Sequence, residues 1–169
     1  KQTIITTLPA DDQKVCENCG YDSSTRNPSN ALPTKQWLND RYYVGRVISI
    51  VDECIAYVGF DKSDDSVVTI YEYFPMFAIR NPDKTVATEE NDKYSFNGGL
   101  LKFIEYNSEL NKRELPSLIP VKDIFEENGT AYIVKPVFKG ITLRDFLNRN
   151  GGSLKWEQVR PLFFPLMDT

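Results

Sequence analysis

From Arg41 to Tyr73 the chain alternates short apolar runs with polar breaks, and the runs are rich in β-branched and aromatic residues. Tyr43 to Ile50, Cys54 to Phe60 and Val67 to Tyr73 therefore read as three strands, the last entered through the turn-forming run Lys62-Ser63-Asp64-Asp65-Ser66. Three consecutive strands predict an antiparallel meander. Asn81 to Tyr94 is charged and without apolar period, which predicts a mobile loop. Leu100, Phe103, Ile104 and Leu110 then follow helical spacing up to Leu115-Pro116, where the proline ends the helix.

Two further runs, Ile119 to Glu126 and Thr130 to Val134, flank Asn128-Gly129, the dipeptide best suited to the positive φ angles of a two-residue hairpin turn. After Gly140, Thr142 caps a short amphipathic helix carrying Leu143, Phe146 and Leu147, which Gly151-Gly152 terminates. A last helix, started by Ser153, carries Trp156, Val159, Leu162, Phe163 and Leu166, with Pro161 in its early turns and a kink expected at Pro165. It is still apolar near Thr169, so a continuation is expected to pack against it. Residues 1–36, rich in Asn, Ser, Thr, Asp and Pro, read as a polar tail.

Composition narrows the function more than the fold. The 169 residues, 41% hydrophobic and 26% charged, suit one soluble domain with a short appendage. A net charge of −4 without a basic stripe argues against nucleic acid as a partner, because phosphate affinity comes from clustered Lys and Arg. No apolar run reaches the ~18 residues of a membrane span. The first residues lack a signal-peptide core, so the fragment reads as cytoplasmic. Histidine is absent, which removes the commonest general base and the Ser/His and Cys/His nucleophile pairs.

Cys16-Glu17-Asn18-Cys19-Gly20 is the one metal-like motif. Two thiols two residues apart, followed by Gly, form half of a zinc ribbon. The chain has only one other cysteine, Cys54, so zinc at Cys16 and Cys19 would be shared with ligands outside this chain; an unmetallated pair is the other reading.

Three strands, a helix, two strands, a connecting segment and two helices is the element order of a protein-kinase small lobe running into its large lobe. Ile124-Phe125-Glu126-Glu127-Asn128-Gly129-Thr130-Ala131-Tyr132-Ile133-Val134 and Gly140-Ile141-Thr142-Leu143-Arg144-Asp145-Phe146-Leu147 resemble bacterial serine/threonine protein kinases. Val68-Thr69-Ile70-Tyr71-Glu72-Tyr73-Phe74-Pro75 resembles a subgroup in which the third strand runs on as Lys-Glu-Tyr-Phe-Pro, some members of which carry a zinc ribbon ahead of the kinase domain. The resemblance covers about residues 16–169. It implies an α+β fold: a five-stranded antiparallel sheet with one main helix at 37–139, the start of a truncated large lobe at 140–169, and a tail with the Cys pair at 1–36. A longer parent of this kind can carry a membrane anchor elsewhere.

A working kinase needs a glycine-rich turn over the phosphates, a third-strand lysine and a helix glutamate that holds it. By the resemblance, the glycine positions are Ser49, Val51, Asp52 and Cys54, and the lysine position is Tyr71. Side chains at the turn obstruct close approach of backbone to phosphate, and Asp52 with Glu53 adds repulsive charge. Aligning Phe103 and Pro116 with the family's helix puts Tyr106 at the glutamate position; a one-residue shift puts Glu105 there, with no lysine partner in either case. The paired loss avoids leaving one charge buried alone. At the hinge, Lys135-Pro136-Val137 replaces an apolar, acidic and aromatic sequence, so Lys135 would stand at the back of an adenine pocket.

These positions imply a kinase-like module that has lost nucleotide binding, uses no cofactor of its own and engages a protein partner or a second copy of itself. An N-terminal piece of an active serine/threonine kinase and a zinc-ribbon interaction module are the alternatives.

Overall fold

The alternation along the strands becomes one six-stranded antiparallel sheet in the computed structural model, which describes residues 26–51, 53–113, 115, 117–138 and 140–167. Its strands are β1 (Gln36–Leu38), β2 (Tyr42–Val51), β3 (Cys54–Asp61), β4 (Ser66–Tyr73), β7 (Asp123–Glu127) and β8 (Thr130–Pro136), in the order β1-β2-β3-β4-β8-β7. The meander and the Asn128-Gly129 hairpin are as the pattern predicts, with φ of 54° at Asn128 and 72° at Gly129. The expectation of five strands is corrected by β1, which pairs Gln36 with Val44 and Leu38 with Tyr42.

That extra strand belongs to a strap, residues 27–38, that lies on the sheet where a polar tail is expected up to residue 36. Ala31, Leu32 and Leu38 are buried in the core. Asn27 holds the strap down: its amide donates to the Leu32 and Gly45 carbonyls and its oxygen accepts from the Val47 N–H. Three bonds from one short side chain replace the ladder that an irregular segment cannot make.

Between β4 and the main helix, where a mobile loop is expected, the chain forms a small arm. Its two short strands, β5 (Ile79–Arg80) and β6 (Val86–Ala87), pair with each other, and a 3-10 turn at Glu90–Asp92 leads into α1 (Lys93–Lys112). The arm is tied to the β7–β8 turn through the Val86 N–H and the Asn128 carbonyl, 2.7 Å apart. α1 thus begins seven residues before Leu100, and its inner face carries Phe96, Leu100 and Phe103 against the sheet.

The core lies mainly on one face of the sheet, called the outer face here, where Tyr42, Val44, Ile55, Tyr57, Val68, Ile70, Tyr132 and Val134 meet Leu32 and Leu38. Two short helices follow β8. α2 (Leu143–Arg149) is capped as expected by the Thr142 hydroxyl, which accepts from the Asp145 N–H; Gly151 and Gly152, at φ of 73° and 82°, end it. α3 (Trp156–Met167) holds both prolines and buries none of its residues. No helix among the described residues is long and apolar enough to cross a membrane.

Candidate functional site

Directly opposed residues of antiparallel strands point to the same side, so the register assigns each position to a face. Ile55, Tyr57, Asp61, Val68, Ile70 and Glu72 lie on the outer face. Ala56, Val58, Thr69, Tyr71, Tyr73, Ile133 and Lys135 lie on the opposite, cleft face.

Of the residues expected to mark a degenerate nucleotide site, Ser49, Val51, Cys54, Tyr71 and Lys135 fall on the cleft face and its rim. At the rim, Ser49 opposes Ala56 and Val51 opposes Cys54, so the two strands stay paired up to these residues. The turn is fastened at its base, since the Glu53 carbonyl accepts the Phe74 N–H at 2.7 Å. Ser49 and Val51 are exposed and Cys54 is half-buried; Asp52 lies outside the described residues. So do Cys16 and Cys19, and among the described residues no group of Cys, Asp and Glu is placed to hold a metal ion.

Tyr71 and Lys135 are brought together. Tyr71 opposes Ala56 on one side and Ile133 on the other, and both are buried, at 5% and 1% exposure. Lys135 is one pair further along, opposite Thr69, and its ammonium lies 5.7 Å from the centre of the Tyr71 ring. Burial pushes the Lys135 ammonium below its ordinary value, with a smaller opposing effect from Cys54. Among the described residues it has no carboxylate partner within ion-pair distance.

Tyr106 is not brought to Tyr71. It is 65% exposed on α1, has no ring contact with Tyr71 among the described residues, and Glu105 beside it is exposed as well. The helix turns Phe96, Phe103 and Asn107 inward instead. Tyr73 packs on Phe96 and Phe103, with ring centres 5.3 and 5.6 Å apart, and burial pushes its phenol up to about 12. Asn107 satisfies its amide locally on the Phe103 carbonyl, 2.9 Å away. With a helical step of about 100°, Asn107, four residues on, stays nearer the inward side of Phe103 than Tyr106, three residues on, and it is Asn107 that is buried.

The outer face carries a polar centre that no motif pointed to. Glu72 is fully buried and accepts from the Tyr57 hydroxyl at 2.6 Å, the Tyr132 hydroxyl at 2.9 Å and the Arg80 guanidinium at 2.6 Å. Burial pushes both phenols well above their ordinary value, so they stay protonated donors. Arg80 also donates to the carbonyls of Asn30 and Lys84, and the Tyr57 oxygen accepts from the Leu32 N–H. An acidic residue between two tyrosines on a strand was the available signal. Glu72 lies one position along from Tyr71 but faces the other way, so this centre does not belong to the cleft.

Chemically, the cleft face presents hydroxyls, apolar side chains and one ammonium. It has neither a loop of free backbone N–H groups nor a lysine–carboxylate pair among the described residues.

No protein-family model and no curated protein matches the chain. A solved structure does: the apo form of PpkA-294, with a TM-score of 0.72 and 29% identity over 83% of this chain and 50% of that one. PpkA is a bacterial serine/threonine kinase, and the fold of this chain is kinase-like. The chain spans half the length of that structure.

Proposed function

We propose that this chain is a kinase-like small lobe that does not use nucleotide and serves as a regulatory or protein-binding module of a bacterial protein. The observation that carries the reading is the pairing of Val51 directly with Cys54, with the turn fastened through Glu53 to Phe74. A phosphate-binding turn works by offering several converging N–H groups to an anion. Strands paired up to Val51 and Cys54 spend their backbone on the ladder instead. Tyr71 supports the same reading, because a phenol over buried Ala56 and Ile133 fills the space and supplies no cation for the α and β phosphates.

The likeness to PpkA favours a second reading, the N-terminal part of an active kinase that transfers the ATP γ-phosphate to a protein hydroxyl. In either case the Cys16/Cys19 pair enters as half of a zinc ribbon completed by ligands from elsewhere.

Thermal unfolding with and without Mg-ATP separates the two. A ligand at 100 times its dissociation constant stabilises the folded state by about 2.7 kcal/mol, which shifts a melting temperature visibly. No shift is expected at millimolar Mg-ATP; a clear upward shift would overturn the proposal in favour of the second reading.

A further inference from the structure

The rows around Lys135 carry no acid. Ser49, Ala56, Tyr71 and Ile133 form one row across the sheet and Val58, Thr69 and Lys135 the next. The carboxylates of these same strands, Asp61 and Glu72, are on the outer face and already engaged, Asp61 by Arg41 and Lys122 and Glu72 by Arg80. Among the described residues the half-buried Lys135 ammonium therefore has no carboxylate beside it, and is met by the face of the Tyr71 ring with a smaller contribution from Cys54. A cation–aromatic contact recovers part of the hydration that such a group loses, and less than an anion would. Neither the Tyr71 nor the Thr69 hydroxyl has a side-chain or backbone partner among the described residues, so both remain available as donors.

We propose that this face docks a segment of a partner protein that presents a single carboxylate between apolar side chains, with the Lys135 ammonium as counter-ion and the Tyr71 and Thr69 hydroxyls beside it. Charge complementarity chooses the occupant. A neutral segment would cover Lys135 and leave a buried cation unpaired, which is costly, whereas one carboxylate satisfies it. A polyphosphate carries several charges and would meet one cation. The apolar flanks follow from Val58, Phe60 and Val67, all half-buried on this same face next to Lys135.

The inference rests on reading the lobe as a protein-binding module, and it is tested apart from that reading. Amide NMR spectra of the whole chain are recorded during titration with the capped peptides Leu-Asp-Leu and Leu-Asn-Leu, and separately with Mg-ATP. The aspartate peptide should shift Thr69, Tyr71, Ile133 and Lys135, and the asparagine peptide should bind at least about tenfold more weakly, the loss of one charge-assisted contact. Lys135→Met keeps the apolar stem and should abolish the difference between the peptides; Lys135→Arg should keep it. The unperturbed outer-face signals of each variant report that it is folded. Equal binding of the two peptides, absence of shifts with either, or an unchanged preference in Lys135→Met overturns the inference. Shifts with Mg-ATP would overturn the nucleotide-free reading alone.

Discussion

Asp61 shows how much one side chain organises at the far edge of the outer face. Its carboxylate is fully buried, takes a two-pronged contact from Arg41 at 2.9 and 2.8 Å, and pairs with Lys122 at 2.6 Å. Burial alone would raise its pKa, but the hydrogen bonds from Arg41 and Lys122 outweigh it and hold the carboxyl far below the usual carboxylate range. The sign follows directly. A carboxyl whose folded-state value lies below the unfolded ~3.9 contributes stability that is complete above that pH and is lost as pH falls below it. Asp64 is also lowered, by Lys122 and Ser66, but it is exposed and screened, so its share is small. Melting temperature should therefore drop steeply below about pH 4, and Asp61→Asn should flatten that drop while lowering stability at neutral pH. A variant that keeps the steep acid limb would show that other carboxylates carry it.

At the scale of elements, α1 docks through a gap in its own surface. Gly99 faces Tyr73 so closely that an added Cβ would collide with the phenol hydroxyl, whereas a Cβ on Gly98 would meet nothing within 4 Å. Alanine is the better helix former at both positions by about 1 kcal/mol. Gly98→Ala should thus gain roughly that amount. Gly99→Ala should lose about 1–3 kcal/mol through overpacking, and Tyr73→Phe in the same chain should return part of it. Urea unfolding checks this; stabilisation by both alanines would mean that α1 does not lie against Tyr73.

The same neighbourhood shows what the sequence could and could not convey. The strands of the meander were legible because eight to ten residues of alternation and β-branched composition outweigh chance, and Asn128-Gly129 because only a few dipeptides tolerate two positive φ angles. β1, β5 and β6 are two or three residues long and carry no period at all. The first turns of α1 were missed because Asn81 to Tyr94 has no apolar period and the helical spacing begins only at Leu100. In the site, Tyr71 and Lys135 became neighbours through strand register, which local pattern constrains; Tyr106 depended on helix phase, where a difference of one residue turns a side chain by about 100°.

Across the whole molecule the two faces of the sheet divide the work. Among the described residues the cleft face carries the Lys135 ammonium without a carboxylate, while the buried carboxylates of the outer face, Asp61 and Glu72, are matched. The strap and the arm both end on that outer face, and they share one group there. Arg80, in the arm, holds Glu72 from β4, the Asn30 carbonyl of the strap and the Lys84 carbonyl of its own hairpin, with its plane 4.8 Å over the Phe74 ring. Lifting either segment breaks the contact between this guanidinium and the Asn30 carbonyl that joins the two. Their amides should consequently exchange with solvent as a single cooperative unit, with Leu32 and Val86 reporting one opening free energy in native-state hydrogen exchange. In Arg80→Met the two should fall together; a strap that opens while Val86 stays protected would show two separate hinges where the geometry makes one.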